Sequence, residues 1–394
     1  MNPEIIYLDN AATSFPKPAI VHDTVRDFYR NNGVNPGRTG CDLALNAEKM
    51  IHETRKGFSD FFNRSLIEKG REKDPNRLVF TMNATMSLNL IINGILGPGD
   101  HAVSTWVEHN SVIRPLNHKI KDCGIEVTYV KPDSEGYVDP EEIRRAIRKN
   151  TRLVIVNHGS NVTGVVQDIK LIGKVCHEEG IPFAIDSAQT AGVIPIDMAD
   201  CHIDFLSFTG HKGLYGPTGT GGICVADDAE IKGTIYGGTG VRSAHPYHLD
   251  EYPYRLEAGT MNLAGIAGLH AGLSWVLDKG MENIYTHEMK LMRKLQEGLL
   301  SIENITLCGT SNLKNRVATL SVTLKNYDPS DVGTILDVDY GIQTRTGLQC
   351  APLIHEHHGT TPRGTIRFSI GPFNTEAHIT TAIAAMEELA ADRP

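Results

Sequence analysis

The chain has 394 residues, 40% of them hydrophobic, which is too much for one small core and implies a large domain with a smaller one beside it. Its 38 Lys and Arg against 47 Asp and Glu give a formal charge of −9 without a basic block, which argues against nucleic acid or an anionic membrane as a partner. No apolar run approaches ~18 residues, Met1-Asn2-Pro3-Glu4 opens without an apolar leader, and seven cysteines lack CxxC spacing, so a soluble, cytoplasmic protein in a reducing compartment is expected.

In chain order, Asn63–Arg77 is rich in charge and reads as an exposed excursion before the first sheet strand. From there strands and helices alternate. Leu78–Thr81, Ala102–Trp106, Val127–Val130, Leu153–Val156, Pro182–Ile185, Phe205–Phe208 and Gly222–Val225 read as short buried strands. Asp139-Pro140-Glu141-Glu142 starts a helix with an acidic cap and proline at the first helical position, and Asp168 opens another that stops at Gly180. Repeated βα units predict a mostly parallel seven-stranded sheet covered by helices on both faces, with ligands at the carboxyl ends of its strands. Beyond Thr260 the pattern changes to helices over Gly265–Leu277 and Ile284–Leu300, strands at Ala318–Thr323, Thr344–Arg345 and Thr365–Ile370, and a helix over Glu376–Ala391. That is the pattern of a smaller α+β domain. We set the large domain at 16–260 and the small one at 1–15 with 261–394.

Two strand ends carry chemistry. Asp186 closes the run Pro182–Ile185, and Ser207-Phe208-Thr209-Gly210-His211-Lys212 closes the next. A lysine and an aspartate on adjacent strand ends suit pyridoxal 5′-phosphate: the amine condenses with its aldehyde, and the carboxylate keeps its pyridine nitrogen protonated. Thr209 and His211 add a hydroxyl and an imidazole able to hold a phosphate. Asn83-Ala84-Thr85 stands at a strand-to-helix turn, where backbone N–H groups suit a dianion.

With Tyr7-Leu8-Asp9-Asn10-Ala11-Ala12-Thr13, Glu108-His109-Asn110-Ser111, Glu257-Ala258-Gly259-Thr260 and Arg345-Thr346-Gly347-Leu348-Gln349-Cys350-Ala351, these segments resemble the class V aminotransferase superfamily of fold-type I pyridoxal phosphate enzymes. The resemblance spans nearly the whole chain and is strongest to the second group of cysteine desulfurases. It implies a homodimer that turns L-cysteine, or a close analogue, into L-alanine. Sulfur would pass through a persulfide on Cys350 to an acceptor protein. It further implies that His109 stacks on the cofactor and takes part in proton transfer, and that Ala84 and Thr85 lie at the phosphate. Asn161 and Gln189 would approach the cofactor's phenolic oxygen, and Thr260 would reach the partner subunit's phosphate. For the substrate it points to Asn10, Ala11 and Asn161, to Arg367 as the grip on the carboxylate, and to Arg345 in support.

This chain departs from the pattern in several places. Ala84 replaces one of two threonines, Met261 stands where proline often follows the threonine, and Leu348 and Gln349 replace two histidines before the cysteine. Rival readings are a selenocysteine or other C–S lyase, a true aminotransferase with an incidental Cys350, and a catalytically idle sulfur-relay scaffold. The last would need none of Asp186, Lys212 and Arg367. His355-Glu356-His357-His358 reads as a solvated loop, and no metal is expected because no four-ligand set is completed. Gly237-Gly238-Thr239-Gly240 does not continue as a dinucleotide fingerprint.

Overall fold

The computed structural model describes residues 5–37 and 41–391; the opening Met1-Asn2-Pro3-Glu4 lies outside the described residues. Strand β1 (Ile6–Tyr7) is followed by helices α1 (Ala19–Asn31), α2 (Asp42–Phe61) and α3 (Arg64–Glu68). The alternating region comprises β2 (Leu78–Thr81), α4 (Ala84–Ile95), β3 (His101–Thr105), α5 (Asn110–Cys123), β4 (Glu126–Val130) and α6 (Pro140–Ala146). It continues through β5 (Thr151–Asn157), α7 (Ile169–Glu179), β6 (Phe183–Asp186), β7 (Phe205–Thr209) and β8 (Gly221–Val225). Then come α8 (Leu263–Lys279), α9 (Met281–Ser301), β9 (Ile305–Cys308), β10 (Thr319–Leu324), α10 (Pro329–Tyr340) and β11 (Ile342–Gln343). The last elements are β12 (Arg345–Gly347), α11 (Pro352–His357), β13 (Thr365–Ser369) and α12 (Glu376–Ala391).

The large sheet has the order β2-β8-β7-β6-β5-β3-β4, with β8 antiparallel to both of its neighbours and the other pairs parallel. Strands β6, β7 and β8 are buried at every position, as the uninterrupted apolar character of such strands requires when helices cover both faces. The predicted helix starts hold in detail. The Asp139 side chain accepts the N–H of Glu141 with Pro140 behind it, Asp168 accepts that of Leu171, and Gly180 ends its helix in the left-handed region.

A second core gathers Ile6 and Leu8 with residues of α9, α10, α12 and the four-stranded sheet β12-β13-β10-β9. The N-terminal segment enters it because β1 pairs in parallel with β11, and Asp9 bridges to Ser369. Helix α8 packs instead into the core under the large sheet, through Leu263, Ile266, Leu269 and Leu273.

Two expectations need correction. The 63–77 excursion is not a plain loop: it holds α3 and a 3-10 turn at Pro75–Arg77, capped by the Asp74 carboxylate. The stretch after Cys350 is not a solvated loop either, because Pro352, with its φ fixed near the helical value, starts α11 and buries His355.

The segment 257–260 is fastened by a buried ion pair. Arg55 Nη2 lies 2.6 Å from Glu257 Oε2, and Glu257 Oε1 accepts the N–H of Phe80 at 2.7 Å. Glu257→Ala would leave the Arg55 guanidinium buried and uncompensated. It should therefore cost about 3–5 kcal/mol in urea unfolding, whereas Lys56→Ala, which breaks only the exposed pair with Asp60, should hardly move the midpoint.

Candidate active site

The register of three parallel strands assembles the centre of the site. Asn157 at the end of β5 stands opposite Asp186 at the end of β6, which stands opposite Ser207 in β7. The Asp186 carboxylate is buried and accepts the N–H of Ala188 at 3.0 Å, with the Ser111 hydroxyl 3.4 Å from its second oxygen. Burial pushes its pKa up, against the pull of the Ala188 N–H, Lys212 and Ser111. A carboxylate of raised proton affinity in a dry place is a strong acceptor for a ring N–H.

Lys212 follows β7 through a tight turn in which the Gly216 N–H donates to the Gly210 carbonyl. A side chain at Gly210 would come within 2.2 Å of the Thr220 hydroxyl oxygen, so only glycine lets the turn close. Burial lowers the Lys212 pKa to about 8, with Asp186 opposing that fall. Nearly neutral water therefore already holds a sizeable share of the free amine that condensation requires.

Across the cavity, α4 begins at Asn83, whose side chain caps the N–H of Met86. The first N–H groups of a helix have no partner within it, so Ala84 and Thr85 bring donors to the cavity edge. The turn sits against the sheet because Gly221 has no side chain, which would meet the Asn83 Cα at 2.9 Å. A cavity of about 270 Å³ joins these parts, lined among others by Thr85, His109, Asn157, Asn161, Asp186, Thr209, His211 and Lys212. Three buried polar atoms around it have no protein partner: Thr209 Oγ1, Asn157 Oδ1 and Asn161 Oδ1. An amine, a carboxylate, a helix N-terminus and orphaned hydrogen-bonding groups around one cleft fit the aldehyde, ring nitrogen and phosphate of pyridoxal phosphate.

His109 caps α5, and its Nδ1 accepts the N–H of Ser111 at 3.1 Å, which leaves the proton of the neutral ring on Nε2. Its pKa falls to about 4, first through burial and then through the charges of Lys212, Arg367 and Arg114. Behind it Glu108 is wholly buried. It accepts the Thr105 hydroxyl at 2.6 Å and the Asn157 N–H at 2.9 Å, and burial raises its pKa to about 8. Glu108 and Ser111 tie together groups that line the cavity, and sequence reasoning singled out neither. Their only signal was adjacency to His109.

Other expected residues have partners of their own. Gln189 lines the cavity, yet its amide donates to the Ala11 carbonyl at 2.9 Å. Asn161 donates to the Gln349 carbonyl at 2.7 Å. Asn10 holds the Ser369 carbonyl and Asn374, and the Ala11 N–H donates to the Ser369 hydroxyl. His211 bonds Thr13. Arg367 is buried, with Nη2 at 2.5 Å from Asp9 and Nη1 donating to the Asn161 carbonyl, while its Nε has no partner. Arg345, expected to support Arg367 at the substrate carboxylate, engages the other Asp9 oxygen through Nε at 3.0 Å and Nη2 at 2.9 Å. Asp9, unremarked in the sequence, is thus shared by two arginines. Thr260 is exposed and outside the cavity of its own chain.

Cys350 is exposed and lines a neighbouring cleft of about 460 Å³, which shares Thr85, His109 and Ser111 with the first. The thiol stands on a strained loop, with φ of +39° at Gln349 and +59° at Cys350. The loop is held by the Gln349 side chain, which donates to the Thr365 carbonyl at 3.1 Å and contacts His355 at 2.8 Å, and by the Asn110 N–H, which donates to the Cys350 carbonyl. Among the described residues, no three His, Cys, Asp or Glu side chains converge as a metal site.

His109, His211 and His355 all have pKa values lowered to about 4 by burial. The unfolded chain binds their protons near 6.5 while the folded one refuses them, so their contribution to stability is fully present above about pH 6.5 and is lost as the pH drops toward 4. Urea midpoints at pH 7.5, 6 and 5 should decline in that order, and NMR should find the His355 ring neutral throughout this range.

Comparison with known proteins agrees with the geometry. Residues 6–381 match the family described as aminotransferase class-V. A probable cysteine desulfurase of Methanothermobacter thermautotrophicus is 35% identical over 98% of this chain and 94% of its own, and a cysteine desulfurase of Haloferax volcanii is 31% identical over 97% and 89%. Among solved structures, the apo cysteine desulfurase of Thermococcus onnurineus superposes with a TM-score of 0.91 at 33% identity, covering 99% of this chain and 95% of that one. An Escherichia coli cysteine desulfurase in an S-sulfonic acid form gives 0.86 at 26%, covering 98% and 94%. A pyridoxal phosphate cleft at the carboxyl ends of a seven-stranded sheet and a match along nearly the whole sequence lead to one conclusion: the chain belongs to the class-V aminotransferase family.

Proposed function

We propose that this protein is a homodimeric, pyridoxal-phosphate-dependent cysteine desulfurase that converts L-cysteine to L-alanine and retains the sulfur as a persulfide on Cys350. The observation that carries the reading is an exposed thiol in a cleft that shares three lining residues with the Lys212 cavity. An aminotransferase has no use for such a thiol.

When bound, the cofactor supplies an aldehyde that condenses with amines and a protonated ring that accepts the electron pair left at Cα. Asp186 holds the ring proton, while Ala84, Thr85, Thr209 and His211 hold the phosphate. Lys212 Nζ, lowered to about 8, is the base that takes the Cα proton. The unpartnered Nε of Arg367, with its remaining N–H groups, takes the substrate carboxylate. His109, neutral with its proton on Nε2, stands between the cavity and the thiol as the group suited to pass a proton there. Cys350 Sγ, as thiolate, bonds to the substrate sulfur while the bond from that sulfur to Cβ breaks. The persulfide then passes to an acceptor protein, with iron–sulfur cluster assembly as a consumer. Thr260, exposed on the segment fastened by Arg55, is free to reach the partner subunit's site.

Three measurements test this. Purified protein should be yellow, and borohydride should fix the pyridoxyl group on Lys212; attachment to another lysine rejects the assignment. Thr260→Ala should release cofactor more readily than the parent dimer, and unchanged retention would remove the cross-subunit role. Cys350→Ala should still change its absorption on adding L-cysteine yet lose nearly all sulfide release, roughly a hundredfold or more for loss of a nucleophile. Mass spectrometry of the parent should find the extra sulfur on Cys350. A variant that keeps most of its activity would point to a lyase or transaminase of another kind.

A further inference from the structure

Arg345 and Arg367 are register partners on the antiparallel strands β12 and β13. Two guanidinium groups so placed repel each other unless something intervenes. Asp9 does, with one oxygen on Arg367 Nη2 at 2.5 Å and the other on Arg345 Nε at 3.0 Å and Nη2 at 2.9 Å. The environments differ sharply: Asp9 and Arg367 are buried, whereas the Arg345 side chain is 53% exposed.

Asp9 therefore has two opposed effects on the carboxylate grip. It orients Arg367, whose other engaged nitrogen donates to the Asn161 carbonyl, so that Nε and the spare N–H groups remain for a ligand. It also places a negative charge beside the guanidinium that must attract the substrate's own carboxylate. Alone, a buried Asp9–Arg367 pair would be neutral and a poor anion site. The second arginine restores the sum to +1.

We infer that Asp9 and Arg345 are positioning residues that set substrate affinity: Asp9 aims Arg367, and Arg345 offsets the charge of Asp9 so that the site stays cationic toward an α-carboxylate. The inference rests on the proposed amino-acid substrate. Arg345 touches the substrate at no point in this scheme and acts through Asp9 alone.

The test uses the dimeric holoenzyme and two ligands that differ in the carboxylate, L-cysteine and cysteamine, with L-alanine affinity read from the absorption change. Arg345→Gln should weaken L-alanine and raise the KM for L-cysteine about tenfold, as expected for removing one charge a few ångströms from an ionic contact. The kcat at saturation should hold, and the affinity for cysteamine, read from the same absorption change, should stay as it was. Arg345→Lys should keep the parent affinity. The double variant Asp9→Asn with Arg345→Gln again sums to +1 and should bind L-alanine about as tightly as the parent. Equal losses for cysteine and cysteamine, an unchanged KM, or failure of Arg345→Lys to rescue would each overturn the inference. So would a double variant as weak as Arg345→Gln alone, and the lysine comparison decides the matter even if Asp9→Asn does not fold. If the parent itself gives no response to any α-amino acid, the proposed function falls, and this inference with it.

Discussion

The site depends on keeping a carboxylate charged at the dry end of a parallel strand. Asp186 cannot be solvated where β6 ends, so each neighbour either stabilises its charge or is shaped by it. The Ala188 N–H, the Ser111 hydroxyl and Lys212 all act on it, and the Lys212 amine is moved toward neutrality by the burial that strains the acid. Burial is thus the shared cause of an acid that holds protons more tightly and a base that releases them more readily. That opposition is what acid–base chemistry near neutral pH needs.

Much of this could be read from residues in order. The buried strands, the helix over Glu376–Ala391 and the capped starts at Asp139 and Asp168 carry local signals of apolar runs and caps, and the ladder matches them within a residue or two. Asp186 and Lys212 stood out because strand ends are where such a fold places ligands. The two-residue β1 and β11 escaped notice because so short a strand shows no period and its existence rests on its partner, and β9 because the exposed Thr306 breaks its apolar run.

Long-range polar partners were illegible for a different reason. Nothing in Tyr7-Leu8-Asp9 announces that its carboxylate will sit between two arginines more than 330 positions away. Likewise the replacement of a familiar histidine by Gln349 looked like a loss. In the fold that side chain is engaged by both Thr365 and His355. Arg345 was expected only to support the carboxylate grip, whereas strand pairing sets it beside Arg367 and directs its guanidinium to Asp9.

The thiol loop shows where authority over reactivity can lie. Two successive non-glycine residues in the left-handed region store about 1–3 kcal/mol each. The loop keeps that shape only while Gln349 is clamped and the carbonyl of Cys350 is held by Asn110. His355 is five residues from the thiol and buried away from solvent, yet its bond to the Gln349 carboxamide helps decide the direction in which the sulfur faces. Such a loop is an indexed arm rather than a tether. Its stops are set largely from behind, so a change at Gln349, Thr365 or His355 can redirect the sulfur without altering any side chain of the cleft that the thiol lines.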